Sequence, residues 1–87
     1  MSEPGTIKFP TEFPIKVMGR QDSDLRTATR KIIENHAGPL REEQIRARPS
    51  AASNFVSITF VIQATSQHQL DAIYRELTAC EAVLMAL

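Results

Sequence analysis

The stretch Asn54-Phe55-Val56-Ser57-Ile58-Thr59-Phe60-Val61-Ile62-Gln63-Ala64 decides the fold. Val56, Ile58, Phe60, Ile62 and Ala64 fall on one side of an extended chain, and Phe55, Ser57, Thr59, Val61 and Gln63 fall on the other. That is the two-residue period of a strand with one buried face, and its β-branched content disfavours a helix. Such a strand needs partners at its edges and a layer over its apolar side.

Both lie within reach along the chain. Upstream, Ile15 and Val17 alternate with Lys16 and Met18 from Phe13 onward, and Gly19 closes this second strand. The turn Arg20-Gln21-Asp22-Ser23-Asp24 is rich in side chains that start helices. Leu25, Ala28, Thr29, Ile32, Ile33 and His36 then recur at helical spacing, and Gly38-Pro39 supplies a stop. A short strand from Gln44 to Arg48 ends at Pro49, and Ser50 to Ser53 reads as a hairpin tip. Downstream of the central strand, Ser66 and Gln69 form a capping-box pair ahead of the stripe Leu70, Ile73, Tyr74 and Leu77. Glu81 to Leu87 reads as a last strand. Residues 1–11, with Pro4, Gly5 and Pro10, read as a flexible leader, and 12–87 as one domain.

The order βαββαβ predicts an α+β, ferredoxin-like sandwich: a four-stranded antiparallel sheet of order 4-1-3-2 with both helices on one face. The expected core is Ile15, Val17, Leu25, Ile32, Ile45, Val56, Ile58, Phe60, Ile62, Leu70, Ile73, Leu77, Val83 and Met85.

Composition narrows the class. With 87 residues the chain fits one domain, and 43% hydrophobic with 23% charged residues is globular rather than disordered. Ten basic residues cancel ten acidic ones, which argues against a protein that coats nucleic acid or anionic membrane. A single cysteine permits no internal disulfide, and no apolar run approaches spanning length. The opening Met1-Ser2-Glu3-Pro4-Gly5 does not read as a signal peptide, so a cytoplasmic location is expected.

Function has to come from what the fold leaves uncovered. The pattern assigns Lys16, Met18, Arg46, Arg48, Phe55, Ser57, Thr59, Val61 and Gln63 to the open sheet face, which then carries no acid. This is either an ordinary solvated face or a docking face, with Lys16, Arg46, Arg48 and Phe55 as its contact residues. RNA binding there is the alternative reading, although one outward aromatic is a thin stacking platform. The last strand carries no charge after Glu81 and invites pairing with a second copy.

Catalytic signals are sparse. His36 and His68 lie on different helices, and neither HxxxH nor CxxC is present, so no metal or cofactor is expected. His36 suits a helix C-terminus as a cation, and Cys80 suits a half-buried packing role. Gly19-Arg20 faintly resembles the phosphate turn of small acylphosphatases, but Asp22 and Asp24 would repel a phosphate there. These acids are expected instead to cap and complement the first helix, with Asp22 at i, i+4 spacing from Arg26.

Phe9-Pro10-x-x-Phe13-Pro14-Ile15-Lys16-Val17-Met18-Gly19, Val56-Ser57-Ile58-Thr59, Ala64-Thr65 with Gln69-Leu70, Tyr74-Arg75-Glu76-Leu77 and Val83-x-Met85-x-Leu87 together resemble the YbeD-like family of small bacterial proteins. The resemblance covers nearly all of Phe9 to Leu87. It implies a ferredoxin-like fold akin to ACT regulatory domains, which bind amino acids near the loop after the first strand. Carried over, Gly19, Asp22 and Ser23 become candidate ligand-binding residues, although Ser23-Asp24 stands where ACT domains commonly carry Pro-Gly. The resemblance also brings a link to lipoate metabolism by gene association only. The expectation is thus a non-enzymatic ACT-like regulatory module that binds a small molecule or docks a partner protein.

Overall fold

The computed structural model describes residues 8–50 and 54–87. Its elements are β1 (Thr11–Arg20), α1 (Leu25–Ala37), a 3₁₀ turn (Glu42–Gln44), β2 (Ile45–Pro49), β3 (Phe55–Ala64), α2 (Gln67–Ala79) and β4 (Met85–Ala86). The sheet is antiparallel throughout in the order β2-β3-β1-β4, which is the expected 4-1-3-2 read from the other edge. The fold is α+β and ferredoxin-like.

β1 and β3 form the spine. They pair over ten residues, from Thr11↔Ala64 to Arg20↔Phe55. The alternation sends Ile15, Val17, Ile58, Phe60, Ile62 and Ala64 to the helical side, each at most 1% exposed. From α1, Leu25, Thr29 and Ile33 meet them at i, i+4, i+8; from α2, Leu70, Ile73 and Leu77 do so at i, i+3, i+7. Thr29 is tolerated in this apolar layer because its Oγ1 donates to the Leu25 carbonyl at 2.5 Å. Burying a Phe60- or Ile58-sized side chain contributes about 1.5–3 kcal/mol, so this layer carries most of the stabilisation.

Several expectations change. Gly19 does not end β1: the strand continues through Arg20, and it already pairs at Thr11. Phe9, in the expected leader, packs against the core; residues 1–7 lie outside the described residues. Ala51 to Ser53 of the hairpin tip also lie outside them, while Ser50 N–H closes onto the Phe55 carbonyl at 2.8 Å. On α1 the deep residue is Ile33 rather than Ile32, because the helix phase set by Leu25 and Thr29 points Ile33 at the sheet and leaves Ile32 on the flank. Val56 is also only half-buried, and Leu40 joins the core instead.

The last strand is much shorter than Glu81 to Leu87. After α2 the chain must turn back toward the sheet, and it does so at Cys80–Val83, with Val83 N–H bonding to the Cys80 carbonyl at 3.1 Å. No glycine or proline announces this turn. The segment then meets β1 through Leu84 N–H to Met18 O (2.8 Å) and a reciprocal pair between Leu87 and Lys16. Met85 lies opposite Met18, on the open face, and is 51% exposed rather than in the core; Val83 is half-buried. Tyr74 Oη donates to the Leu87 carbonyl at 2.8 Å and ties this segment to α2.

The helix ends are held by mixed devices. Ser66 Oγ accepts from Gln69 N–H at 3.0 Å, as expected, but the Gln69 amide reaches Thr65 N–H and the His36 carbonyl instead of closing the box. It thereby bridges α2 to the end of α1. His36 Nε2 contacts the Glu76 carboxylate, a second interhelical link. Asp24 sits at the N-cap of α1 but makes no side-chain capping bond. The Asp22–Arg26 pair does not form: Asp22 bonds Arg20 at 3.2 Å and Arg26 bonds Glu42 at 2.9 Å, because the turn curls Asp22 back over the strand end.

A polar cluster fixes the approach to β2. Arg30 reaches Glu34, Glu42 and the Leu40 carbonyl, and Glu34 accepts from Leu40 N–H at 2.7 Å. The Leu40 amide and then Arg30 hold the Glu34 carboxyl below the usual range, and Arg30 does so for Glu42.

Two outcomes are expected. A β-carbon on Gly19 would collide with the Ala82 carbonyl oxygen and stand 2.9 Å from Leu25 Cδ1, both fixed parts of the fold. Gly19→Ala should therefore cost about 1–3 kcal/mol in a urea titration; an unchanged midpoint would contradict this packing. Glu34 and Glu42 bind fewer protons folded than unfolded, so their contribution is present above about pH 4.5 and is lost as pH falls through the lowered values. Thermal melts should show that loss, and the double variant Glu34→Gln, Glu42→Gln should flatten it.

Candidate basic sheet face

The face of the sheet away from the helices is built by the same alternation that builds the core. On β1 it presents Glu12, Pro14, Lys16, Met18 and Arg20, and on β3 their partners Gln63, Val61, Thr59, Ser57 and Phe55 in that order. β2 adds Arg46 opposite Thr59 and Arg48 opposite Ser57. Two rows therefore run across three strands: Lys16–Thr59–Arg46 and Met18–Ser57–Arg48. With neighbouring strands about 4.8 Å apart, each row spans roughly 10 Å.

Lys16, Arg46, Ala47, Arg48, Ser57 and Thr59 line a shallow groove of ≈ 310 Å³. A smaller hollow of ≈ 120 Å³ adjoins it, lined by Met18, Arg48, Pro49, Ser50, Phe55, Val56 and Ser57. Lys16, Arg46 and Arg48 are exposed and belong to none of the ion pairs among the described residues, whereas Arg20, Arg26, Arg30 and Arg41 each face a carboxylate. Neither the Ser57 nor the Thr59 hydroxyl makes a side-chain hydrogen bond among these residues. Phe55 is 40% exposed at the rim.

The structure thus brings Lys16, Arg46 and Arg48 together and sets Phe55 beside them, as the sequence pattern predicts. It differs on charge. Glu12 lies on this face, so the face is not free of acid, but Glu12 pairs with Gln63 at the far end of the sheet. Reading β1 from Phe13 missed it, because Pro10 and Pro14 obscure the strand start. Arg20 was also missed: Gly19 looked like the strand's end, yet Arg20 pairs with Phe55.

The turn residues Gly19, Asp22 and Ser23 lie elsewhere. Gly19 is buried on the helical side against Ala82 and Leu25. Asp22 is exposed, and the Arg20 guanidinium beside it holds its carboxyl below the usual range. Ser23 Oγ donates to the Arg20 carbonyl at 2.7 Å, so Asp22 and Ser23 both bond back to Arg20 within the turn itself. Arg20, Gln21, Asp22 and Asn54 line a hollow of ≈ 190 Å³. His68 is exposed on the first turn of α2, and Cys80 is a half-buried free thiol at its end. Among the described residues no three His, Cys, Asp or Glu side chains gather to hold a metal ion, and no helix is long and apolar enough to cross a membrane.

Comparison with known proteins adds the lineage. Residues 5–87 match the family model described as "Protein of unknown function (DUF493)". A UPF0250 protein of Ralstonia nicotianae is 36% identical over 81 residues, covering 93% of this chain and 84% of the relative. A UPF0250 protein of Neisseria gonorrhoeae is 37% identical over 81 residues, covering 93% and 89%. The solution structure of protein HP0495 from H. pylori superposes with a TM-score of 0.72 over 99% of this chain and 90% of that one; at 16% identity it speaks to the fold alone. Sequence and fold together place the chain in the DUF493 (UPF0250) family of small bacterial YbeD-like proteins.

Proposed function

We propose that this protein is a small non-enzymatic binding module that docks an acidic segment of a partner protein on its open sheet face. The observation that carries the reading is the cluster of three cations, Lys16, Arg46 and Arg48, in no ion pair among the described residues, around a groove with hydroxyls at its floor. Charge gathered on one face of a chain that is neutral overall marks a local docking site rather than a general affinity for polyanions. The neighbouring Met18, Met85 and Phe55 offer apolar contact area beside the charges, the usual make-up of a protein interface.

The small-molecule reading at Gly19, Asp22 and Ser23 has less support, since Asp22 accepts from the Arg20 side chain, Ser23 donates to the Arg20 carbonyl, and Gly19 packs tightly. RNA docking would need stacking platforms, and Phe55 is the aromatic side chain available on this face. Regulation of a partner by docking fits the cytoplasmic, ACT-like expectation from the sequence, and among the described residues no helix covers this sheet face.

The test is fluorescence anisotropy with a labelled short peptide of alternating Glu and Val, and with a short mixed-sequence RNA. The peptide should bind, its affinity should fall as salt rises, and the double variant Arg46→Glu, Arg48→Glu should weaken it by at least about tenfold. Tighter binding of the RNA than of the peptide would replace this reading with the nucleic-acid one. No binding of either would refute the face as an anionic docking site.

A further inference from the structure

Resting on that docking reading, we infer that the centre of the face is a seat for a phosphoryl group carried on the docked segment. The argument is the register. Thr59 lies directly between Lys16 on β1 and Arg46 on β2, and Ser57 lies beside Arg48 one row along. Cations from two different strands therefore flank a hydroxyl on the strand between them, and a third cation sits diagonally next to it. A planar carboxylate is satisfied by one bidentate arginine. It leaves the lysine, the second arginine and two hydroxyls without partners. A phosphate monoester has three terminal oxygens that point in different directions and carries about −1.5 to −2 charge at neutral pH. It can take Lys16 on one side, Arg46 and Arg48 on the other, and the Thr59 hydroxyl from beneath.

The groove's dimensions agree. Its ≈ 310 Å³ exceeds what a single phosphoryl group fills, and it opens toward the apolar hollow at Met18 and Phe55, where the residues flanking the phosphorylated side chain would lie. Among the described residues the nearest acid on the face, Glu12, sits opposite Gln63, four residues along β1 from Lys16, so it leaves the seat's positive potential largely intact. The hydroxyls matter to the inference: charge alone attracts any anion, whereas hydroxyl donors on the floor favour an anion with an oxygen directed down at the sheet.

The experiment compares three probes on the same protein: a phosphoserine peptide, the same peptide with Glu in place of phosphoserine, and inorganic phosphate as competitor. The phosphopeptide should bind about tenfold or more tightly than its Glu counterpart. Arg46→Gln should cost the phosphopeptide more than the Glu peptide, and Thr59→Val should reduce phosphopeptide affinity several-fold, by a larger factor than it reduces affinity for the Glu peptide. Both positions lie on the open face, and cooperative thermal melting of each variant checks that the fold is kept. Equal affinity for the two peptides would overturn the seat while leaving acidic docking intact; binding of neither would overturn both. Inorganic phosphate competing as strongly as the phosphopeptide would overturn the docked segment as its source.

Discussion

The ten-residue ladder between β1 and β3 is the constraint on which the rest depends. Its register puts Ile15 opposite Phe60 and Val17 opposite Ile58 on one side, and Lys16 opposite Thr59 and Met18 opposite Ser57 on the other. A slip of one residue would exchange the two sets, placing Lys16 in the core and Ile15 in water. The cost of that exchange fixes the register, and the register fixes the positions of the cations. The groove is thus a consequence of core packing, assembled with no separate structural device.

The two edges of the sheet are treated differently. β2 is short, charged and ended by Pro49, and its approach is anchored by the cluster of Arg30 and Glu34 on α1 with Glu42 of the 3₁₀ turn. That anchoring is indirect but relevant to the face, because β2 carries Arg46 and Arg48. β4 pairs with β1, is flanked by backbone bonds from Leu84 and Leu87 to that strand, is tied to α2 by Tyr74, and leaves Leu84 and Met85 exposed. A second copy pairing along this edge, raised by the sequence, would add strands beside β4 without covering the groove, which lies toward β2.

How much of this could be read from the sequence follows from which signals are periodic. β3 and α2 have strong, uninterrupted periods, and both core stripes are legible in them, with Val56 at the start of β3 half-buried rather than in the core. Lys16, Arg46, Arg48 and Phe55 were placed on the open face because strand alternation is a local property. The errors fall where tertiary geometry decides. Ile32 and Ile33 are both compatible with an apolar stripe, and only packing against β3 selects Ile33. The turn at Cys80–Val83 is made from ordinary residues and follows from the need to bring the chain back to β1. Gly19 looked like punctuation or a ligand turn, whereas its function in the fold is to let the Ala82 carbonyl approach the strand. Arg20 and Asp22 pair across a turn whose curl no sequence spacing encodes.

The central claim is that the open face, centred on Thr59, is where an anionic partner docks. Amide chemical-shift mapping of labelled protein with the acidic peptide tests it most directly. The account predicts shifts concentrated at Lys16, Met18, Arg46, Arg48, Ser57 and Thr59, with α1 and the turn at residues 20–24 unmoved. Shifts centred instead on Gln21 to Ser23, or on the outer face of α1 around Arg26 and Lys31, would contradict it.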